Sequence, residues 1–222
     1  MWKTMIAAAE ELFFPKQCFF CKQYGNMLCA DCQTLLDVSP GHRPDRSQKY
    51  LGDIFTPCSY ENNYAKKLIH GLKYEPFHKK LALPLAGLIA DHFELSEQNF
   101  DIGKFIIIPV PLAPKRLRGR GFNQAEAIAD DLAKIWQIPV ETNCLERIRE
   151  TAAQAELSQS RRRENIKDAF ACPNPDLVKN KSVFLLDDVV TTGATMNECA
   201  RVLSKNNVAK VIGIAVARTE NS

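Results

Sequence analysis

Val183-Phe184-Leu185-Leu186-Asp187-Asp188-Val189-Val190-Thr191-Thr192-Gly193-Ala194-Thr195-Met196 is the stretch whose reading decides the fold. It opens with four apolar residues, the length and composition of a strand buried on both faces of a parallel sheet. Two carboxylates stand where such a strand should end, and a run of small, hydroxylated residues follows. Beyond Met196, the residues Cys199, Val202 and Leu203 recur at three-to-four-residue spacing, as on the inner face of a helix. The order is therefore strand, acidic pair, small-residue turn, helix. Consecutive N–H groups at a helix N-terminus attract an anion, and a glycine lets the main chain approach it. Thr191, Thr192, Gly193, Ala194 and Thr195 thus form a phosphate cradle. An acidic pair beside the cradle would repel phosphate unless it faced another part of the ligand. Vicinal sugar hydroxyls supply that part, because each donates a hydrogen bond and a carboxylate only accepts. The ligand implied is a ribose 5-phosphate with free 2- and 3-hydroxyls. An ordinary N-capped helix start with solvated aspartates uses the same residues, but too many positions match in order for that reading to be preferred. Gly119-Arg120-Gly121 lacks the third small residue of a dinucleotide fingerprint, and no Gly-x-x-x-x-Gly-Lys-Ser/Thr occurs.

The same stretch resembles the phosphoribosyl-pyrophosphate (PRPP) signature of type I phosphoribosyltransferases: apolar strand, Asp-Asp, two apolar residues, Thr-Thr-Gly-x-Thr. Every position of the pattern is filled. The resemblance implies an α/β fold, a doubly wound parallel sheet of the type I phosphoribosyltransferase kind. It also implies catalytic roles for Asp187 and Asp188 on the ribose, a 5-phosphate held by Thr191 to Thr195, and Mg2+ bridging pyrophosphate and ribose hydroxyls.

Upstream, Phe105-Ile106-Ile107-Ile108 reads as a second buried strand, ended by Pro109-Val110-Pro111-Leu112. The loop after it carries Lys115, Arg116, Arg118 and Arg120 before Gly121. Loops at the carboxyl ends of parallel strands are where α/β sheets bind ligands, and cations there suit pyrophosphate. A helix over 125–136 should follow. Pro-Val-Pro-Leu followed by Arg-Gly-Phe-Asn-Gln-Ala is characteristic of the ComF family. The run Tyr64 to Tyr74, which includes Lys66, Lys67 and Lys73, resembles the segment that precedes the catalytic sheet in that family, though a solvated helix capped by Gly71 would read the same. The polar, glycine-free segment from Arg147 to Phe170 contains Arg149 and Arg161. It resembles the loop that closes over PRPP in these proteins, where such a lid would exclude water and neutralise the leaving pyrophosphate. No general base is evident, Glu156 being a candidate by position alone.

Cys18-x-x-Cys21, seven residues, then Cys29-x-x-Cys32 present four thiolates at the spacing of a closed structural zinc site. Two disulfides, a redox pair or an iron–sulfur centre would use the same residues; ligand type and spacing favour Zn2+. A window this short cannot fold on its own apolar surface, so metal would supply the folding energy. The expected organisation is an N-terminal helix and zinc-finger module over 1–40 and a phosphoribosyltransferase domain over 50–222, joined by a Pro- and Gly-containing connection. Strands over 54–60 and 209–217 and helices over 64–73 and 81–93 complete it.

A net charge of +3 argues for no partner class. Glu10 and Glu11 interrupt any secretory core, and no apolar run reaches membrane-spanning length, so a cytoplasmic protein with no transmembrane segment is expected. The chain thus resembles the ComF family nearly end to end, and the resemblance implies a link to natural competence and DNA uptake without identifying a reaction. Two readings result. One is an enzyme displacing pyrophosphate from PRPP onto an unknown acceptor. The other is a non-catalytic, PRPP-responsive adaptor that contacts single-stranded DNA or the uptake machinery, with Phe19, Phe20 and Tyr24 available to stack bases.

Overall fold

The computed structural model describes residues 16–39, 48–74, 78–96, 100–150 and 164–219. The chain divides into two compact units, Met1–Asp37 and Val38–Ser222. The helix expected over 1–14 lies outside the described residues.

In the first unit a tight turn follows Cys18, with Lys22 N–H donating to the Cys18 carbonyl at 3.0 Å and Lys22 itself left-handed at φ 63°. Helix α1, Ala30–Thr34, begins directly after Cys29. These two turns aim all four thiols at one point.

The second unit is built on a parallel sheet. Strand β6, Ser182–Val190, lies between β3, Phe105–Pro109, and β7, Lys210–Arg218. Two short strands, β1 (Ile54–Phe55) and β2 (Cys58–Ser59), share the far edge of β7. A single strand over 54–60 was expected; Pro57 falls between the two pieces, and a proline has no N–H to give a ladder. All pairings in this sheet are parallel.

Alternation along β6 explains why helices cover both faces. Phe184 points to one side, where it stacks on Phe105 at 4.0 Å and meets Phe93 of helix α3 (Ala82–Leu95) and Trp136 of helix α5 (Gln124–Trp136). Val183 and Leu185 join a separate core with Met196, Cys199, Ala200 and Leu203 of helix α6, Ala194–Ser204. Helix α3 runs through Pro84, which lies in its first turn, where an N–H has no intrahelical partner.

Two expectations need correcting. The acidic pair does not follow the strand but lies inside it, since β6 continues to Val190. β3 stops at Pro109 opposite Leu186, whereas β7 still pairs Asp187 with Ala215 and Val189 with Ala217. Likewise, the basic stretch after β3 is not a loop but a short helix, α4, Pro114–Arg120. Proline at its first position and left-handed Gly121 at its end, φ 75°, are the start and stop signals of a helix.

Candidate functional site

Because β3 stops opposite Leu186, four residues before β6 ends, the carboxyl edge of the sheet is notched where Asp187 and Asp188 emerge. A cavity of about 580 Å³ opens there. Period-two alternation sends the two carboxylates to opposite sides of β6. Asp188 meets Lys73, the last residue of helix α2 (Asn63–Lys73), with Nζ 2.8 Å from Oδ1. Asp187 Oδ1 accepts from the Asp188 backbone N–H at 2.8 Å. Burial raises the Asp187 pKa to about 7, the neighbouring Asp188 charge adds to the rise, and Lys73 and Arg147 oppose it. Burial alone would lower the pKa of Lys73, but the Asp188 carboxylate more than offsets it and holds the ammonium above its ordinary value.

The turn Thr191–Gly193 leads into α6 and forms a second wall. Thr191, Gly193, Ala194 and Thr195 line the cavity. Thr192 does not line it and is buried, its carbonyl accepting from Gln48 Nε2 at 2.9 Å. Gln48 comes from the stretch read in the sequence as a connection. Gly193 is left-handed at φ 72°, and a Cβ there would lie 3.0 Å from Gln48 Nε2. Gly193→Ala should therefore cost about 1–2 kcal/mol of stability and lower the melting temperature by several degrees; a thermal unfolding curve unchanged by the substitution would remove the argument.

Helix α4 supplies a third wall. Arg116 and Arg120 line the cavity, whereas Lys115, Arg118 and Gly121 do not. Arg120 lies over the Tyr74 ring at 5.5 Å and donates from Nη1 to Gln124 Oε1 at 2.7 Å. Burial lowers its pKa, yet a guanidinium stays protonated in proteins. Asn123 Nδ2 donates to the Val110 carbonyl and its Oδ1 caps α5 through Ala125 N–H, tying this helix start to the end of β3.

Arg147 lines the fourth side. It belongs to β4 (Glu146–Arg147), paired antiparallel with β5 (Phe170–Ala171), and lies over the Phe170 ring at 5.5 Å. Arg149 is turned to structural use, donating from Nη2 to the carbonyls of Lys167 at 2.6 Å and Asn165 at 3.0 Å. Arg161 and Glu156, with the expected lid around them, lie outside the described residues. Sequence reasoning assigned no site role to Lys73, Tyr60, Tyr74 or Gln124. The only signal for Lys73 was its place in the Tyr64 to Tyr74 run.

In the first unit, the Sγ atoms of Cys18, Cys21, Cys29 and Cys32 all lie within 4.8 Å of one another, those of Cys21 and Cys29 at 3.6 Å. A tetrahedral zinc site with bonds of about 2.3 Å requires sulfur separations of about 3.8 Å, so the four thiols could hold such an ion. Burial acts to raise the Cys18 pKa, but backbone hydrogen bonds from Cys29, Cys21 and Phe20 bring it down to about 6. Thiolate is the form that binds metal.

A parallel sheet notched at an acidic pair, with a helix N-terminus beside it, defines a type I phosphoribosyltransferase-like protein. Residues 117–222 match the phosphoribosyl transferase domain family. The chain is 30% identical over 230 residues to competence protein F of Haemophilus influenzae, covering 93% of this chain and 98% of that protein. It is 33% identical over 153 residues to the DNA utilization protein YhgH of Salmonella typhi, covering 68% of this chain and 66% of that one. A hypoxanthine phosphoribosyltransferase structure from Staphylococcus aureus aligns over 64% of both chains with a TM-score of 0.36 and 16% identity. The chain belongs to the ComF family, whose expected motifs it carries.

Proposed function

We propose that this protein binds PRPP in the notch of its sheet and serves DNA uptake or utilisation, the processes named for its relatives. One observation carries the reading: the acidic pair, the N-terminus of α6 and the cations Arg116, Arg120 and Arg147 converge on one cavity. Asp187 and Asp188 accept from the ribose hydroxyls, the turn into α6 holds the 5-phosphate, and the arginines face the pyrophosphate. Mg2+ would enter on the oxygens of PRPP and stabilise the leaving pyrophosphate; Asp187 and Asp188 are the only carboxylates lining the cavity among the described residues. In the enzymatic form of the reading, an acceptor displaces pyrophosphate through an oxocarbenium-like transition state. Calorimetry of PRPP with and without Mg2+, on folded and metal-loaded protein, tests the central claim. Absence of binding in both conditions refutes it.

Gln124 supports the pyrophosphate side. Its Oε1 must face Arg120, which has only donors, so its amide NH2 is fixed toward the other end. That nitrogen is buried and has no hydrogen-bond partner among the described residues, in a side chain 1% exposed. A buried donor left unmade costs about 1–3 kcal/mol, which a ligand oxygen would recover. Gln124→Glu keeps the size and the Arg120 contact but replaces the donor by an acceptor. Pyrophosphate affinity should fall about tenfold or more while ribose 5-phosphate affinity changes little; equal losses for both ligands would contradict the assignment.

A second reading is favoured by the engagement of both carboxylates and by the lack of a histidine among the described cavity residues. It is a PRPP-responsive adaptor that performs no transfer and contacts single-stranded DNA or uptake proteins through the cysteine module, where Tyr24 is 68% exposed. DNA affinity that falls steeply with salt and survives loss of Asp187 and Asp188 would favour it. Pyrophosphate release from PRPP and Mg2+, abolished by the same change, would favour the enzyme.

A further inference from the structure

The Lys73–Asp188 pair is unusual in placement. Side chains at 17% and 13% exposure hold an ammonium against one of the two carboxylates meant for sugar hydroxyls. Lys73 comes from α2, a helix capped at its start by Asn62, which accepts from Tyr64 and Ala65 N–H. Ala65, Leu68, Ile69 and Leu72 bury its inner face. The lysine is thus delivered to the notch by a firmly seated element. An isolated buried carboxylate pair repels itself; the lysine makes this pair sustainable.

Resting on the ribose-phosphate reading, we propose that Lys73 is a positioning residue: it is the resident counter-cation of the acidic pair, offsetting the repulsion between the two carboxylates and holding Asp188 aimed to accept ribose hydroxyls. One lone pair of Asp188 Oδ1 is used by Lys73. A carboxylate offers about four such sites, so a hydroxyl can be accepted without breaking the ion pair. The groups around Asp187 are Asp188 on its own strand, Lys73 from α2, Arg147 from β4 and the Cys199 thiol from α6. Asp188 is faced by Lys73 and Arg120, and Lys73 also by Tyr60. Lys73 is in direct hydrogen-bond contact with the pair, its Nζ 2.8 Å from Asp188 Oδ1.

The direction of the pH effect follows. Asp187 must lose its proton to accept a hydroxyl, and its pKa is raised to about 7, so affinity for ribose 5-phosphate should climb as pH rises through neutrality. Lys73 holds that pKa down. Lys73→Met, which keeps the stem and removes the charge, should move the inflection upward by about one unit, equivalent to about a tenfold loss of affinity at neutral pH that fades at alkaline pH. Lys73→Arg should retain the wild-type profile. The measurements are calorimetry with ribose 5-phosphate from mildly acidic to mildly alkaline pH, and carbon NMR titration of the Asp187 carboxyl in the ligand-free protein. A loss uniform across pH, or an Asp187 titration unmoved by Lys73→Met, overturns the role of Lys73. Should Lys73→Met fail to fold, the test passes to Lys73→Gln, with the same expected shift. Wild-type protein that binds no ribose 5-phosphate at any pH overturns the ribose reading and this inference with it.

Discussion

Changing Asp187 and Asp188 together to asparagine should reduce affinity for PRPP and for ribose 5-phosphate by about a hundredfold or more. A hydrogen bond to a charged acceptor contributes about 1.5–3 kcal/mol, and the notch offers one such acceptor on each side of β6. Two bonds correspond to about 3–6 kcal/mol, a factor of a hundred to ten thousand. Asparagine is the informative replacement because its amide oxygen preserves shape and keeps a weaker acceptor. Alanine at Asp188 would strand Lys73 without its partner, and breaking a buried pair that way costs about 3–5 kcal/mol of stability, which confounds binding with folding. Even asparagine leaves the ammonium less well matched. A melting curve of the variant therefore accompanies the calorimetry, and the comparison is valid only for protein that still unfolds cooperatively. Inorganic pyrophosphate is the internal control. It contacts the α4 wall in this reading, so its affinity should survive the substitution or improve as negative charge is removed. If PRPP binding persists at wild-type strength, the sugar is not held by this pair.

The strand, the acidic pair and the small-residue turn into α6 were legible in the sequence because they are local. Strand, carboxylates, glycine and helix start follow one another in the chain. The cations beyond the motif behaved differently. Lys115 and Arg118 share a sequence neighbourhood with Arg116 and Arg120, and only the helical turn of α4 sorts them into those that line the cavity and those that do not. The dense charge suggested a loop, though Pro114 and Gly121 already marked a helix. Arg149 looked equivalent to Arg147 until the β4–β5 pairing turned one toward the cavity and the other onto backbone carbonyls. Lys73 and Gln48 reach the site from over a hundred residues away in sequence, with Gln48 bonding across a separation of 144 residues. Nothing in local pattern encodes such a meeting. It arises from the parallel order of the sheet, which places β1 and β2 beside β7 and so carries α2 to the end of β6.

Removing metal from the cysteine module should have an effect as large, and confined to a different part of the chain. Purified protein is expected to contain one equivalent of zinc, and Cys32→Ser or a strong chelator should release it. The first unit offers little to hold itself together otherwise: its described apolar burial is limited to Cys18, Leu28, Cys32 and Leu36, and α1 is five residues long. Helices that short are not stable alone. Structural zinc contributes about 10–16 kcal/mol of apparent folding free energy in comparable small sites, far more than those side chains supply. Residues 16–37 should accordingly lose amide protection in hydrogen exchange when the metal leaves. The sheet unit has its own cores on both faces of β6, around Phe184 and around Leu185, so its cooperative melting transition should remain. Competition between protons and metal adds a further check, since thiols must ionise to bind: metal retention should weaken as pH falls. Iron in place of zinc, or four free thiols in a well-protected module, would show that the cysteine geometry serves another purpose. Intact metal combined with lost PRPP binding, or the reverse, would show that the two sites can be switched separately.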